Sequence, residues 1–74
     1  MTRLPTVSAQ QVLKALQKAG FQISNQRGSH VRLVHPVIRF KTVVPVHPGD
    51  LSRPLLKKII KQVGMSEAEF REFL

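Results

Sequence analysis

The stretch FQISNQRGSHVRLVH, residues 21–35, decides the fold. Two β-like runs flank the polar segment Asn25 to Ser29, which contains Gly28 and reads as a turn. Before it, Phe21 and Ile23 alternate with Gln22 and Ser24. After it, a straight strand places His30, Arg32 and Val34 on one face and Val31, Leu33 and His35 on the other. Strands joined by so short a connection run antiparallel. The same turn carries a candidate for chemistry, because Arg27-Gly28-Ser29-His30 sets a histidine between the cations of Arg27 and Arg32.

Pro36 ends the second run. A third run, rich in β-branched residues, extends from Ile38 to Val46, with Arg39, Lys41 and Val43 alternating with Phe40, Thr42 and Val44. Pro45 has no amide hydrogen, which favours a sheet edge or a strand end. Upstream, a lead-in from Thr2 to Val7 meets a helix start: Ser8 and Gln11 have capping-box spacing, and Val7 and Val12 stand at the staple positions. Ala9, Val12, Leu13, Leu16 and Ala19 form its apolar stripe. Gly20 ends this helix, and Phe21 can fold back on the last turn. Downstream, His47-Pro48-Gly49-Asp50 is a turn and Ser52 caps a second helix with Pro54 in its first turn. Leu55, Leu56, Ile59, Ile60 and Val63 make its buried face, and Gly64 ends it. Ser66 with Glu69, and Met65 with Phe70, repeat the box and staple for a short last helix. The expected order is helix, three strands, helix, short helix. Two amphipathic helices cover one face of the three-stranded antiparallel sheet and leave the other open, giving a two-layer α+β domain over residues 1–74.

With 74 residues the chain has room for one small domain. It has no cysteine, so disulfides and thiolate–zinc staples are excluded, and its chemistry fits the cytoplasm. No apolar run reaches the roughly 20 residues that span a bilayer. The net charge is +8 and unevenly placed. Residues 1–49 hold seven Lys or Arg and no Asp or Glu, whereas residues 50–74 hold five basic and four acidic residues. A one-signed surface of this density attracts polyanions. Nucleic acid is the expected partner, against a solvated face kept for solubility; no helix pairs a basic face with exposed aromatics, which argues against a membrane.

Several chemistries are absent. Magnesium needs carboxylates, and Asp50 is the only one outside the C-terminal helix. His30 and His35 are an odd number of residues apart, so a strand points them to opposite faces and they do not share a metal. There is no cysteine nucleophile and no tryptophan or tyrosine, and all four phenylalanines can be assigned to core-facing positions, which argues against a base-stacking platform. What remains is recognition of phosphates and shape. RNA can be cut without metal or cofactor, because its 2′-hydroxyl is a built-in nucleophile. A histidine can take that proton or protonate the leaving oxygen. His30 is the candidate acid/base group. Arg27, Arg32 and Lys41 are candidates to hold charge on phosphorus, and the Gly28-Ser29 turn can offer amide hydrogens. His30 reads equally as an ordinary half-exposed strand residue, His35 as structural, and Ser29 as a turn residue. His47 follows a strand and could sit beside the same site.

The segments Lys18-Ala19-Gly20-Phe21, Arg27-Gly28-Ser29-His30 and Val44-Pro45-Val46-His47-Pro48-Gly49, followed by Leu56-Lys57-Lys58-Ile59, resemble the HicA family of toxins in order and spacing. The chain departs from the usual pattern in having Arg53-Pro54 before Leu55 and Val31-Arg32-Leu33 after the histidine. The resemblance implies a fold like the double-stranded-RNA-binding domain (dsRBD-like), α-β-β-β-α. It implies an mRNA interferase of a type II toxin–antitoxin pair, inhibited by a HicB-type antitoxin, with His30 catalytic. The expected function is thus a metal-independent endoribonuclease, monomeric when free and hetero-oligomeric with its antitoxin. The rival is a non-catalytic RNA-binding domain that reads duplex shape through Arg27, Arg32, Arg39 and Lys41. A third reading is a module whose basic face docks an acidic protein.

Overall fold

The computed structural model describes residues 4–74, so Thr2 and Arg3 of the lead-in lie outside the described residues. Helix α1 spans Ala9–Lys18, strands β1, β2 and β3 span Gln22–Arg27, His30–Val34 and Lys41–Pro45, and helices α2 and α3 span Arg53–Gln62 and Glu67–Glu72. The strands form one antiparallel sheet in the order β1-β2-β3, with β2 in the middle. The helices lie on one face, so the expected two-layer α+β, dsRBD-like architecture is the observed one.

Each helix end is specified locally. Ser8 accepts from the Gln11 amide at 3.2 Å while the Gln11 side chain accepts from the Ser8 amide at 2.9 Å, so both arms of the capping box are formed. Val7 and Val12 are both buried at the staple. At the other end the Phe21 amide donates to the Leu16 carbonyl and the Gly20 amide to the Gln17 carbonyl. That pair of bonds is the Schellman closure. α2 ends in the same way, with Met65 donating to Ile60 and Gly64 to Lys61. The Leu51 amide donates to the Val7 carbonyl at 2.9 Å, and Arg53 Nε donates to the Leu4 carbonyl at 3.2 Å, which ties the lead-in to the start of α2.

The core sits between β2, β3 and the helices. Val12 and Leu16 of α1, Leu33 and Val44 of the sheet, Leu56 and Ile59 of α2, and Phe70 of α3 are fully enclosed. Among the described residues Thr42 is the buried polar one, and its hydroxyl donates to Gln62 Oε1 at 2.6 Å. β2 follows strict alternation: Val31 and Leu33 are buried, while His30 and Arg32 are exposed.

Three expectations are corrected. The third strand begins at Lys41 rather than Ile38. After Pro36 the chain makes a turn instead: the amides of Val37 and Ile38 donate to His35 Nδ1 at 3.1 and 3.3 Å, and Arg39 adopts φ 66°. A left-handed Arg39 cannot continue a β ladder. Secondly, Asn25, Gln26 and Arg27 belong to β1 rather than to the turn, which is Gly28 and Ser29 alone; every residue of β1 is exposed, and Ile23, opposite Leu33, is 47% exposed. The helices cover β2 and β3 and stop short of β1, an edge strand. Thirdly, Phe40 is not a core residue but is 46% exposed, with its ring lying over Gly64.

That last contact explains why glycine ends α2. Gly64 has φ +74°, and a Cβ there would run into the Phe40 ring. Gly64→Ala is expected to destabilise by more than the roughly 1–2 kcal/mol of left-handed backbone strain alone, lowering Tm by roughly 4–8 °C per kcal/mol. The cost should shrink in a Phe40→Ala background, where only the backbone strain remains. Equal costs in both backgrounds, measured by thermal melts as a double-mutant cycle, would show that the ring is not involved. A second expectation concerns α3. The Ser66 backbone N–H, and after it the Ser66 hydroxyl, hold the Glu69 carboxyl below its usual range. A carboxyl lowered in the folded state stabilises above its unfolded value and loses that contribution as pH falls through the folded one. The Tm difference between the parent and Glu69→Ala should therefore narrow as pH is lowered from neutral to below about 4; a constant difference would contradict the role of the charge.

Candidate nucleic-acid interface

The register of the sheet assigns the open face row by row. Arg27 pairs with His30 and His30 with Pro45; Asn25 pairs with Arg32 and Arg32 with Val43; Gln22 pairs with Val34 and Val34 with Lys41. Directly opposed residues share a face with Cβ atoms about 4.5–5.5 Å apart. Arg27 and His30 are therefore lateral neighbours, and Arg32 lies one row away. Lys41 shares the face but sits four strand residues from His30's row, roughly 13 Å along the sheet. The structure brings together Arg27, His30 and Arg32, and sets Lys41 apart at the far end.

Arg27 reaches this face only because β1 carries a bulge. Ile23 pairs with Leu33 and Asn25 with Arg32, so two steps on β1 match one on β2, with Ser24 as the extra residue. Uninterrupted alternation would have kept Asn25 and Arg27 on the helix side with Ile23. The bulge turns them over, and Asn25 joins the site as a residue the sequence reading missed. The signal available for it was the polar run from Ser24 onward, which no buried face required.

The turn is a two-residue hairpin, with Gly28 at φ 59° and Ser29 at negative φ, the order of a type II′ turn. Nothing stands within 4 Å of the place a Cβ on Gly28 would take, so the turn is open to a ligand. The Ser29 carbonyl accepts the Val46 amide at 2.6 Å. This bond carries the β2–β3 ladder one residue past Pro45 and folds the exit from β3 across the turn. His47 follows at once, and its ring meets that of His30 edge to face, with centroids 6.4 Å apart and planes at 87°. Both histidines are exposed.

His35 is elsewhere. Its ring packs edge to face on Phe21 at 5.2 Å, its Nε2 lies 2.6 Å from where a Gly20 Cβ would be, and its Nδ1 accepts the turn amides. It is a structural residue. Among the described residues no three His, Cys, Asp or Glu side chains form a group that could hold a metal ion.

Two hollows mark the open face. One of about 390 Å³ is lined by Asn25, Arg27, His30, Arg32 and Val43. The second, about 760 Å³, shares Arg32 and Val43 with the first and reaches Lys41 of β3 and Leu55, Lys58 and Gln62 of α2. Neither is lined by a carboxylate. Among the described residues no helix is long and apolar enough to cross a membrane.

Among curated proteins, none matches this chain. A family model does: the one described as the HicA toxin of bacterial toxin–antitoxin systems matches residues 9–65, from the first residue of α1 to the residue that closes α2, with the hairpin and His47 inside it. With the expected fold observed and most of the chain matched, this chain belongs to the HicA toxin family.

Proposed function

We propose that this toxin is a metal-independent endoribonuclease of a type II system, cleaving mRNA with His30 as general acid/base. The observation that carries the reading is the pair of exposed histidines, 6.4 Å apart, beside Arg27 and Arg32 on a face without carboxylates. In RNA cleavage the 2′-oxygen attacks the adjacent phosphorus and loses a proton, and the 5′-oxygen leaves and gains one. The products are a 2′,3′-cyclic phosphate and a 5′-hydroxyl. One phosphate seated over the histidines gives each ring a proton-transfer task, one as base and one as acid. Arg27 and Arg32 hold the charge that develops on the nonbridging oxygens, and the Gly28-Ser29 amides add donors. Lys41 contacts a more distant phosphate rather than the scissile one.

The partner that restrains such an enzyme has to cover the same face. A HicB-type antitoxin presenting acidic groups to Arg27, Arg32 and Lys41 and shielding His30 fits that need, with a monomeric toxin in the cytoplasm when free and a hetero-oligomer when inhibited.

His30→Ala should lose growth arrest on induction and cut RNA about 10²–10⁴-fold more slowly, with an unchanged melting curve. EDTA should leave cleavage intact. An alanine variant of His30 that arrests growth and cuts RNA like the parent would overturn the assignment. Long incubation with intact RNA would favour a binding domain instead.

A further inference from the structure

The larger hollow is not needed for the two histidines, yet it adjoins their site. Arg32 and Val43 line both hollows, so the two lie side by side. From there the groove passes Val34 and Lys41 and turns around the outer edge of β3 onto α2, where Leu55, Lys58 and Gln62 close it. At about 760 Å³ it lies within the size range of ligand sites. Its floor is apolar (Val34, Val43, Leu55) and its rim is cationic (Arg32, Lys41, Lys58). An apolar floor suits the face of a base or a ribose, and cations spaced along the rim suit successive phosphates.

We propose that this groove is an extended subsite for single-stranded RNA, in which Lys58 of α2 binds a backbone phosphate beyond the scissile one. The inference rests on the RNA-cleaving reading above and adds the path and form of the substrate. A flexible strand can follow a groove that turns from a sheet face to a helix, and a stiff duplex cannot. A protein strand added to the edge of β3 is the other occupant such a groove suggests. The edge opposes it: Lys41 begins β3 and Pro45 ends it, and lysine and proline on an edge discourage strand addition. The lack of any acidic group also favours a polyanion.

The test is binding of a fluorescent 2′-O-methyl hexanucleotide, which lacks the nucleophile, to the full chain. Lys58→Glu should weaken binding about tenfold and make the dependence of log affinity on log salt shallower by about 0.7, one phosphate contact on a single strand. Lys58→Arg should bind like the parent. Lys57→Glu makes the same charge change on α2 outside the groove and should cost much less. The penalty of Lys58→Glu should be smaller for a dinucleotide, which is too short to span the groove. Equal losses from Lys57→Glu and Lys58→Glu, or equal losses for the short and long ligands, would overturn the subsite. So would capture of an acidic extended peptide in a Lys58-dependent way with no oligonucleotide binding. If Lys58→Glu weakens binding but the parent never cuts unmodified RNA, the cleavage reading fails and the subsite stands. If RNA is cut and Lys58→Glu binds like the parent, the subsite fails and the cleavage reading stands.

Discussion

The alternation of β2 is the constraint on which the rest depends. Val31 and Leu33 are locked into the helix core at 3% and 0% exposure. A slip of one residue would turn both into solvent and drive His30 and Arg32 against α1 and α2. Burial on one face therefore fixes the position of chemistry on the other. Because β2 is the middle strand, it also sets the register of both neighbours, bringing Arg27 to one side of His30 and Pro45 to the other. The candidate site is rigid where the core is rigid, and its exposed histidines need no buried charge to hold them.

A division of labour follows from the charge distribution. The acid-free N-terminal part builds the sheet and its turn, and all four carboxylates lie from Asp50 onward. Three of them, Glu67, Glu69 and Glu72, belong to α3, where Glu69 caps its own helix. The acidic groups thus serve local helix chemistry, while the open face of the sheet keeps one sign. Such a surface draws in a polyanion and equally invites an acidic inhibitor. On the proposed reading, substrate and antitoxin compete for that one electrostatic feature.

Much of this was legible in the sequence, where local rules act alone. Both capping boxes, both Schellman closures and the period-two pattern of Val31 and Leu33 depend on residues a few positions apart. Three features were not legible there. The bulge at Ser24 reverses the phase of β1, and the polar run from Ser24 onward shows that no buried face holds the alternation without showing at which residue it breaks. The late start of β3 comes from His35, whose ring accepts turn amides that a strand would have used elsewhere. The approach of His47 to His30 comes from one bond between Val46 and Ser29, residues far apart in the chain. The resemblance to the HicA family pointed to His30 but not to the geometry that pairs it with His47.

On the proposed mechanism the RNA supplies its own nucleophile to a histidine-bearing basic face. The most direct measurement is the fate of an oligonucleotide with one 2′-deoxy residue immediately 5′ to the scissile phosphate, compared with its all-ribose twin. The twin is expected to be cut to a 2′,3′-cyclic phosphate and a 5′-hydroxyl, and the deoxy substrate to stay intact at that bond while binding as tightly. Cleavage of the deoxy substrate at the same bond, or a product carrying a 5′-phosphate, would contradict it.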